Sequence, residues 1–158
     1  MAFNQPSLKG RALRYLSMRE HSRFELVQKL APFEEVPGEL ALALDDLEVK
    51  GFISDQRAAE SVVRRRGSRL GASRVLHELH VKGLDAETVQ AATVELKATE
   101  LIRAQEVWRK KFGVPPVDVA ARMKQMRFLA GRGFAGEVVG RVVPRVEESK
   151  HFSADLPD

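Results

Sequence analysis

The chain has 158 residues and a mass of 17.7 kDa, room for one ordinary domain or a few small repeats sharing a core. A 44% hydrophobic, 30% charged composition is that of a folded chain, and the absence of cysteine excludes disulfides, thiolate zinc sites, iron–sulfur clusters and a Cys nucleophile. A net charge of +4 and a pI of about 9.6 favour an anionic partner, and no apolar run approaches the ~20 residues of a membrane span.

The apolar spacing is helical almost throughout. Leu8, Ala12 and Leu16 share one face and predict a first helix over 8–19. Ser22-Arg-Phe-Glu25 is a capping-box pattern and opens a second helix over 22–30. Leu40, Leu44 and Leu47 predict a third over 39–50. Ser54 or Asp55 caps a fourth over 55–66. Ala72, Val75, Leu76 and Leu79 predict a fifth over 72–82. Asp85 caps a sixth over 85–97, and a seventh follows over 99–112. Pro115-Pro116 interrupts, Asp118 or a neighbour starts an eighth over 118–131, and Val138, Val142 and Val146 predict a ninth over 135–146.

Three stops have the same chemistry. Leu47-Glu-Val-Lys50-Gly51-Phe52, Leu79-His-Val-Lys82-Gly83-Leu84 and Leu129-Ala-Gly-Arg132-Gly133-Phe134 each carry a cation in the last turn, then a glycine, then an apolar residue. That is a Schellman-type helix end, with the apolar residue folding back on the helix. Glu25-Leu26-x-x-Lys29, Glu78-Leu79-x-x-Lys82 and Phe128-Leu129-x-x-Arg132 fall about fifty residues apart, as the second helix of three successive units would. The fold expected is all-α: an elongated, curved array of three tandem three-helix repeats, about nine short helices in all. Its units are 8–52, 53–98 and 99–146, and residues 147–158 form a tail expected to be flexible. Ordinary helices ending in Leu-x-x-Lys would give the same local pattern without a repeat.

Signals for chemistry are few. Gly131-Arg-Gly133-Phe-Ala-Gly136 spells G-x-G-x-x-G, but the glycines follow a helix rather than a strand, and Gly133 already serves as a helix stop. His77 and His80 share a helical face one residue short of the H-E-x-x-H spacing, with no third ligand clustered beside them. His21 precedes the capping box, where packing suffices, and His151 stands alone in the tail. Glu34, Glu35, Glu39, Asp45, Asp46 and Glu48 read as a solvated acidic face. No nucleophile elbow, Walker loop or S-x-x-K motif is present. No catalytic residue, cofactor or metal is expected.

The cations are unevenly placed. Six arginines lie between Arg57 and Arg74 against the single acid Glu60. Trp108-Arg109-Lys110-Lys111-Phe112 is a second cluster, and Arg122, Lys124, Arg127 and Arg132 form a third. Arginine's planar fork suits phosphate and carboxylate, and a cationic face releases counterions from DNA. Candidate partner-binding residues are Arg57, Arg64, Arg65, Arg66, Arg74, Arg109, Lys110, Lys111, Arg127 and Arg132. Trp108 and Phe112, at i and i+4, are expected in the core rather than as stacking platforms.

Several segments together resemble the RecX family of bacterial regulators of the RecA recombinase. They are Ala12-Leu-Arg-Tyr-Leu-Ser-Met-Arg-Glu-His-Ser-Arg-Phe-Glu-Leu-Val-Gln-Lys-Leu30, Gly51-Phe-Ile-Ser-Asp-Gln-Arg-Ala-Ala-Glu60, Glu78-Leu-His-Val-Lys-Gly-Leu84, Arg109-Lys-Lys-Phe-Gly113 and Arg127-Phe-Leu-Ala-Gly-Arg-Gly-Phe134. The resemblance spans about residues 10–146. It implies tandem three-helix repeats and a non-enzymatic regulator that binds RecA and the groove of the RecA–single-stranded-DNA filament. Filament growth, RecA ATPase, strand exchange and co-protease activity would fall, modulating recombination and the SOS response. It also implies a bacterial cytoplasmic protein, and Met1 to Pro6 lacks the apolar core of a secretion signal. A monomer with weak direct DNA binding is expected; the alternative is a single-stranded nucleic-acid-binding helical module acting by strand competition. Three positions depart from the family pattern: Ala58 where an aromatic is usual, Ala72 where proline is frequent, and Gly131 where an arginine is common.

Overall fold

The structure, a computed structural model, describes residues 4–147, so the expected tail falls outside it except for Glu147, and His151 with it. Among the described residues there are eight α-helices, one 3-10 turn and no strand. They are α1 (Leu8–Met18), α2 (Arg23–Leu30), the 3-10 turn Ala31–Phe33, α3 (Glu39–Val49), α4 (Asp55–Gly67), α5 (Ala72–Val81), α6 (Ala86–Lys111), α7 (Val119–Gly131) and α8 (Gly136–Val142).

The helix starts are satisfied locally. Ser7, Ser54, Asp85 and Asp118 each accept a backbone N–H three residues on, and Ser22 and Glu25 complete the capping box. All three expected stops have Schellman geometry. Gly51, Gly83 and Gly133 sit at φ of +81°, +66° and +92°. The following N–H of Phe52, Leu84 and Phe134 donates to Leu47, Leu79 and Leu129. Leu84 and Phe134 fold into the core as expected. Phe52 does not: it is 50% exposed, and Ile53, one residue later, is buried in its place.

Two expectations about the helices are corrected. The pair over 85–97 and 99–112 is one continuous helix, α6, so the described chain has eight α-helices and not nine. Glu95-Leu-Lys-Ala-Thr-Glu-Leu101 contains no glycine or proline, so nothing stops propagation. The last helix ends at Val142 rather than at 146. Pro144 pushes the residue before it out of the α region, and Val143 has ψ of 118°.

Three apolar cores follow one another along the chain. The first joins α1, α2 and α3 through Ala12, Leu26, Leu30, Leu44 and Leu47. The second joins α4, α5 and the first half of α6 through Val62, Val75, Leu79 and Leu96. The third joins the second half of α6 to α7 and α8 through Ala104, Leu129, Phe134 and Val139. Leu26, Leu79 and Leu129, the repeated leucines of the sequence pattern, are each fully buried in their own core. Helix α6, about 39 Å long at 1.5 Å per residue, therefore serves two cores.

The second and third units meet backbone to backbone. The Gly71 N–H, at the start of α5, donates to Arg132 O at the end of α7 (2.9 Å), and Ser73 Oγ donates to Gly133 O (2.8 Å). A Cβ on Gly71 would lie 2.2 Å from Gly133 C and O. Glu100, buried on α6, spans the same place: its Oε1 accepts from Ala72 N and Ala135 N, both at 3.3 Å. This carboxylate supplies the cap that Gly71 cannot offer α5. Gly71→Ala should therefore lower stability by about 2 kcal/mol or more, because backbone must move to admit the methyl. Gly140→Ala, in α8 with open space around it, should be neutral or raise stability by up to about 1 kcal/mol. Urea unfolding of the two variants checks the contrast.

Candidate partner-binding surface

The ten cations singled out in the sequence divide into three groups. Arg57, Arg66 and Arg109 each pair with a carboxylate of the same chain while staying partly in solvent. Arg57 Nε donates to Glu20 (3.0 Å) and its Nη2 to Gly51 O (2.7 Å), tying α4 to the first unit. Arg66 faces Glu78 of α5 at 3.2 Å, and Arg109 pairs with Glu106 one turn back at 2.9 Å. Arg57 and Arg66 link α4 to other elements, whereas the Arg109 pair lies within α6 and is largely exposed.

Arg74 and Arg132 lie at the joint between the second and third units, and Lys111 shares the Phe128 ring with Arg132. Arg74 packs its aliphatic stem on Gly133: a Cβ there would lie 2.4 Å from Arg74 Cγ. The Arg132 guanidinium lies 5.0 Å from the Phe128 ring centroid and Lys111 Nζ lies 5.3 Å from the same ring. Phe128 in turn meets Phe112 edge-on at 5.5 Å. One aromatic ring thus holds two cations together at the surface, where each costs less than bare charge repulsion would suggest. Arg64, Arg65, Lys110 and Arg127 form the third group, exposed and without a carboxylate within 4 Å among the described residues. Successive helical residues point about 100° apart. Arg64, Arg65 and Arg66 therefore fan out, and only Arg66 turns to Glu78.

The acidic stretch is not simply a solvated face. Asp46 holds Lys9 and Lys50, and Asp45 and Glu48 both hold Arg23. Trp108 sits against the third core and donates its Nε1–H to Gln125 Oε1 at 2.8 Å, and Phe112 is half-buried, in line with core placement. The G-x-G-x-x-G string is the corner between α7 and α8. Among the described residues no three His, Asp or Glu side chains cluster as metal ligands, and no helix is long and apolar enough to cross a membrane.

The polar joint between the first and second units went unnoticed in the sequence. Ser22 Oγ donates to Lys82 O (2.6 Å), the Arg23 N–H donates to Asp55 (3.0 Å), and Phe24 lies against Gly83. Glu25 accepts from Arg19, from the Ser22 N–H and from Lys82. Burial pushes its carboxyl up, but the Arg19 hydrogen bond, the Ser22 N–H and the Lys82 charge outweigh it and hold the pKa to about 2. His21, 2% exposed, donates or accepts between Arg19 O (3.0 Å) and Lys29 Nζ (3.4 Å). Burial lowers its pKa, more than the Arg19 carbonyl and the Glu25 charge restore. The signal for this joint was the capping box itself, whose serine and glutamate also reach another helix.

Known proteins resemble the chain over nearly its whole length. Family models described as the first, second and third three-helix domains of RecX match residues 9–34, 54–92 and 99–143. A regulatory protein RecX from Leptothrix cholodnii is 48% identical over 153 residues, covering 96% of this chain and 97% of the relative. One from Ralstonia pickettii is 46% identical over 142 residues, covering 90% and 89%. Among solved structures, a RecX from Lactobacillus salivarius superposes with a TM-score of 0.66 at 20% identity, covering 85% of this chain and 91% of that one. A crystal structure of another regulatory protein RecX gives 0.68 at 20% identity, covering 85% and 70%. The third matched domain begins at residue 99, inside α6, as expected for a helix shared by two cores.

The first joint should weaken in acid. Glu25 has a depressed folded pKa, so its contribution is present above the unfolded value of about 4.5 and is lost as pH falls towards 2. His21 also has a depressed folded pKa, so protonation below about 6.5 opposes folding and acts in the same direction. Glu25→Gln should cost at most about 3 kcal/mol at pH 7, and the penalty should shrink steadily between pH 4.5 and pH 2. Urea unfolding of the variant and parent across that range measures it.

Proposed function

We propose that this chain, which belongs to the RecX family of non-enzymatic regulatory proteins, binds RecA and the RecA–single-stranded-DNA filament and inhibits filament growth. The reading carries with it lower RecA ATPase, strand exchange and co-protease activity, in bacterial recombination and the SOS response. The observation that carries it is the near-full-length identity to proteins named regulatory protein RecX, on three matched domains. A cytoplasmic monomer suits the task.

The geometry supplies a physical route. Three successive cores place side chains along a line of helices, so contacts to neighbouring filament subunits add as effective concentration. Binding that prefers one filament state shifts assembly by its differential affinity, with no chemistry needed. Charge is graded along that line. Residues 4–52 carry seven Lys/Arg and eight Asp/Glu, whereas residues 99–147 carry ten and five. Arg64, Arg65, Lys110 and Arg127 are the side chains best placed to meet acidic protein surface or phosphates, joined by the Arg74, Lys111 and Arg132 group. Arg57 and Arg66 contribute mainly by linking α4 to other elements, and Arg109 is already paired with Glu106.

RecA's single-stranded-DNA-dependent ATP hydrolysis, with this protein well below the RecA concentration and DNA in excess, tests the reading. Inhibition is expected, since too little protein is present to cover the DNA. Inhibition only when the protein matches the DNA sites would mean strand competition instead, and would displace the reading. A variant carrying Arg64→Glu, Arg65→Glu, Lys110→Glu and Arg127→Glu should need at least tenfold more protein for the same inhibition, with unchanged helical circular dichroism.

A further inference from the structure

The first unit holds an unmatched positive site. It has more acids than bases, yet five of its eight acids are paired elsewhere: Asp46 to Lys9 and Lys50, Asp45 and Glu48 to Arg23, Glu25 to Arg19 and Lys82, and Glu20 to Arg57, while Glu35 and Glu39 lie more than 4 Å from any described cation. Glu34 accepts the Gly38 N–H at 2.9 Å. Arg11, Arg14 and Lys29 are left without a carboxylate within 4 Å among the described residues. Two of them, Arg11 and Arg14, are one turn apart on α1 and flank a cleft of about 300 Å³.

The cleft is lined by apolar and cationic side chains together. Its walls include Pro6, Tyr15, Met18, Leu30 and Phe33, running from α1 to the 3-10 turn. Leu30 is buried at its base, while Met18 and Phe33 are 67% and 45% exposed at its edge. We propose that this cleft receives an acidic peptide segment of a partner protein, anchored by one apolar side chain, with carboxylates against Arg11 and Arg14. The alternative anion, a nucleic-acid strand, would need free aromatic faces for its bases. Those faces are already taken: the Arg11 guanidinium lies 3.9 Å from the Phe33 ring centroid, and Lys29 Nζ lies 4.6 Å from that of Tyr15. Arg11 is also set in place by Gln5, whose Oε1 accepts from Nη2 at 2.9 Å. Beyond the N–H given to Gln5, the Arg11 guanidinium keeps further donors that a carboxylate can accept.

The inference stands apart from the RecA reading, since it concerns α1 and needs only this chain and a peptide. Nuclear magnetic resonance of the full ¹⁵N-labelled chain, titrated with the peptide Asp-Asp-Phe-Asp-Asp, tests it. Saturable shifts are expected at Gly10, Arg11, Arg14, Tyr15 and Phe33. Arg14→Glu, an exposed position whose side chain makes no hydrogen bond among the described residues, should weaken binding at least tenfold while the spectrum stays dispersed. The peptide Asp-Asp-Ser-Asp-Asp should also bind at least tenfold more weakly, because it lacks the anchor. The proposal is overturned if the serine peptide binds equally, or if shifts appear only around the third unit's cations. It is equally overturned if an oligothymidylate shifts the cleft resonances and the peptide does not.

Discussion

The array depends on helix ends meeting head to tail. The last carbonyls of α7 accept from the first donors of α5, through Gly71 N and Ser73 Oγ. The end of α5, in turn, meets the start of α2, where Ser22 Oγ donates to Lys82 O. Each contact opposes the negative end of one helix dipole to the positive end of the next, and satisfies backbone groups that a helix leaves orphaned. Such closeness has a steric condition. Gly71 and Gly133 touch through their backbones, and Gly83 receives Phe24, so a methyl at any of the three would collide with its neighbour. The glycines that end α5 and α7 are therefore also the surfaces on which the preceding unit rests.

The two joints are built differently. At the second, α6 runs through unbroken, Glu100 is buried between Ala72 N and Ala135 N, and Arg103 donates to Gly67 O, Leu70 O and Leu96 O. At the first no helix is shared; Ser22, Arg23, Glu25 and Arg57 make the links through side chains to Lys82, Asp55 and Glu20. Side-chain links between partly exposed charges are the weaker kind. The second and third units are thus joined by a continuous helix, and the first is joined to the second through side chains alone.

Much of the fold could be read in the sequence because its signals are local. Lys-Gly-Phe, Lys-Gly-Leu and Arg-Gly-Phe mark helix ends by a backbone requirement that only neighbours set, and Ser22 with Glu25 marks a start in the same way. The misreadings arose where the local signal was silent or shared. Nothing between Glu95 and Leu101 says stop, and the break expected between 97 and 99 does not occur. Phe52 obeys the stop pattern, yet Ile53 takes the buried place, since the motif fixes the turn and not the neighbour it meets. The candidate surface was readable only as charge. Arg57 finds Glu20 and Arg66 finds Glu78, pairings 37 and 12 residues apart that separate struts from available cations. Arg11, Arg14 and Lys29 escaped notice for the converse reason: their isolation comes from distant acids being drawn to other partners.

If head-to-tail contact holds the units in series, the Gly71 amide is the most direct reporter. Among the described residues its N–H is the one backbone donor that reaches a backbone carbonyl of the next unit, Arg132 O at 2.9 Å. Native-state hydrogen exchange of the full chain should find Gly71 protected nearly as strongly as the amides of Leu79 and Leu129 in the adjoining cores. Rapid exchange at Gly71, with those core amides still protected, would show units that fold separately and merely follow one another, contrary to this account.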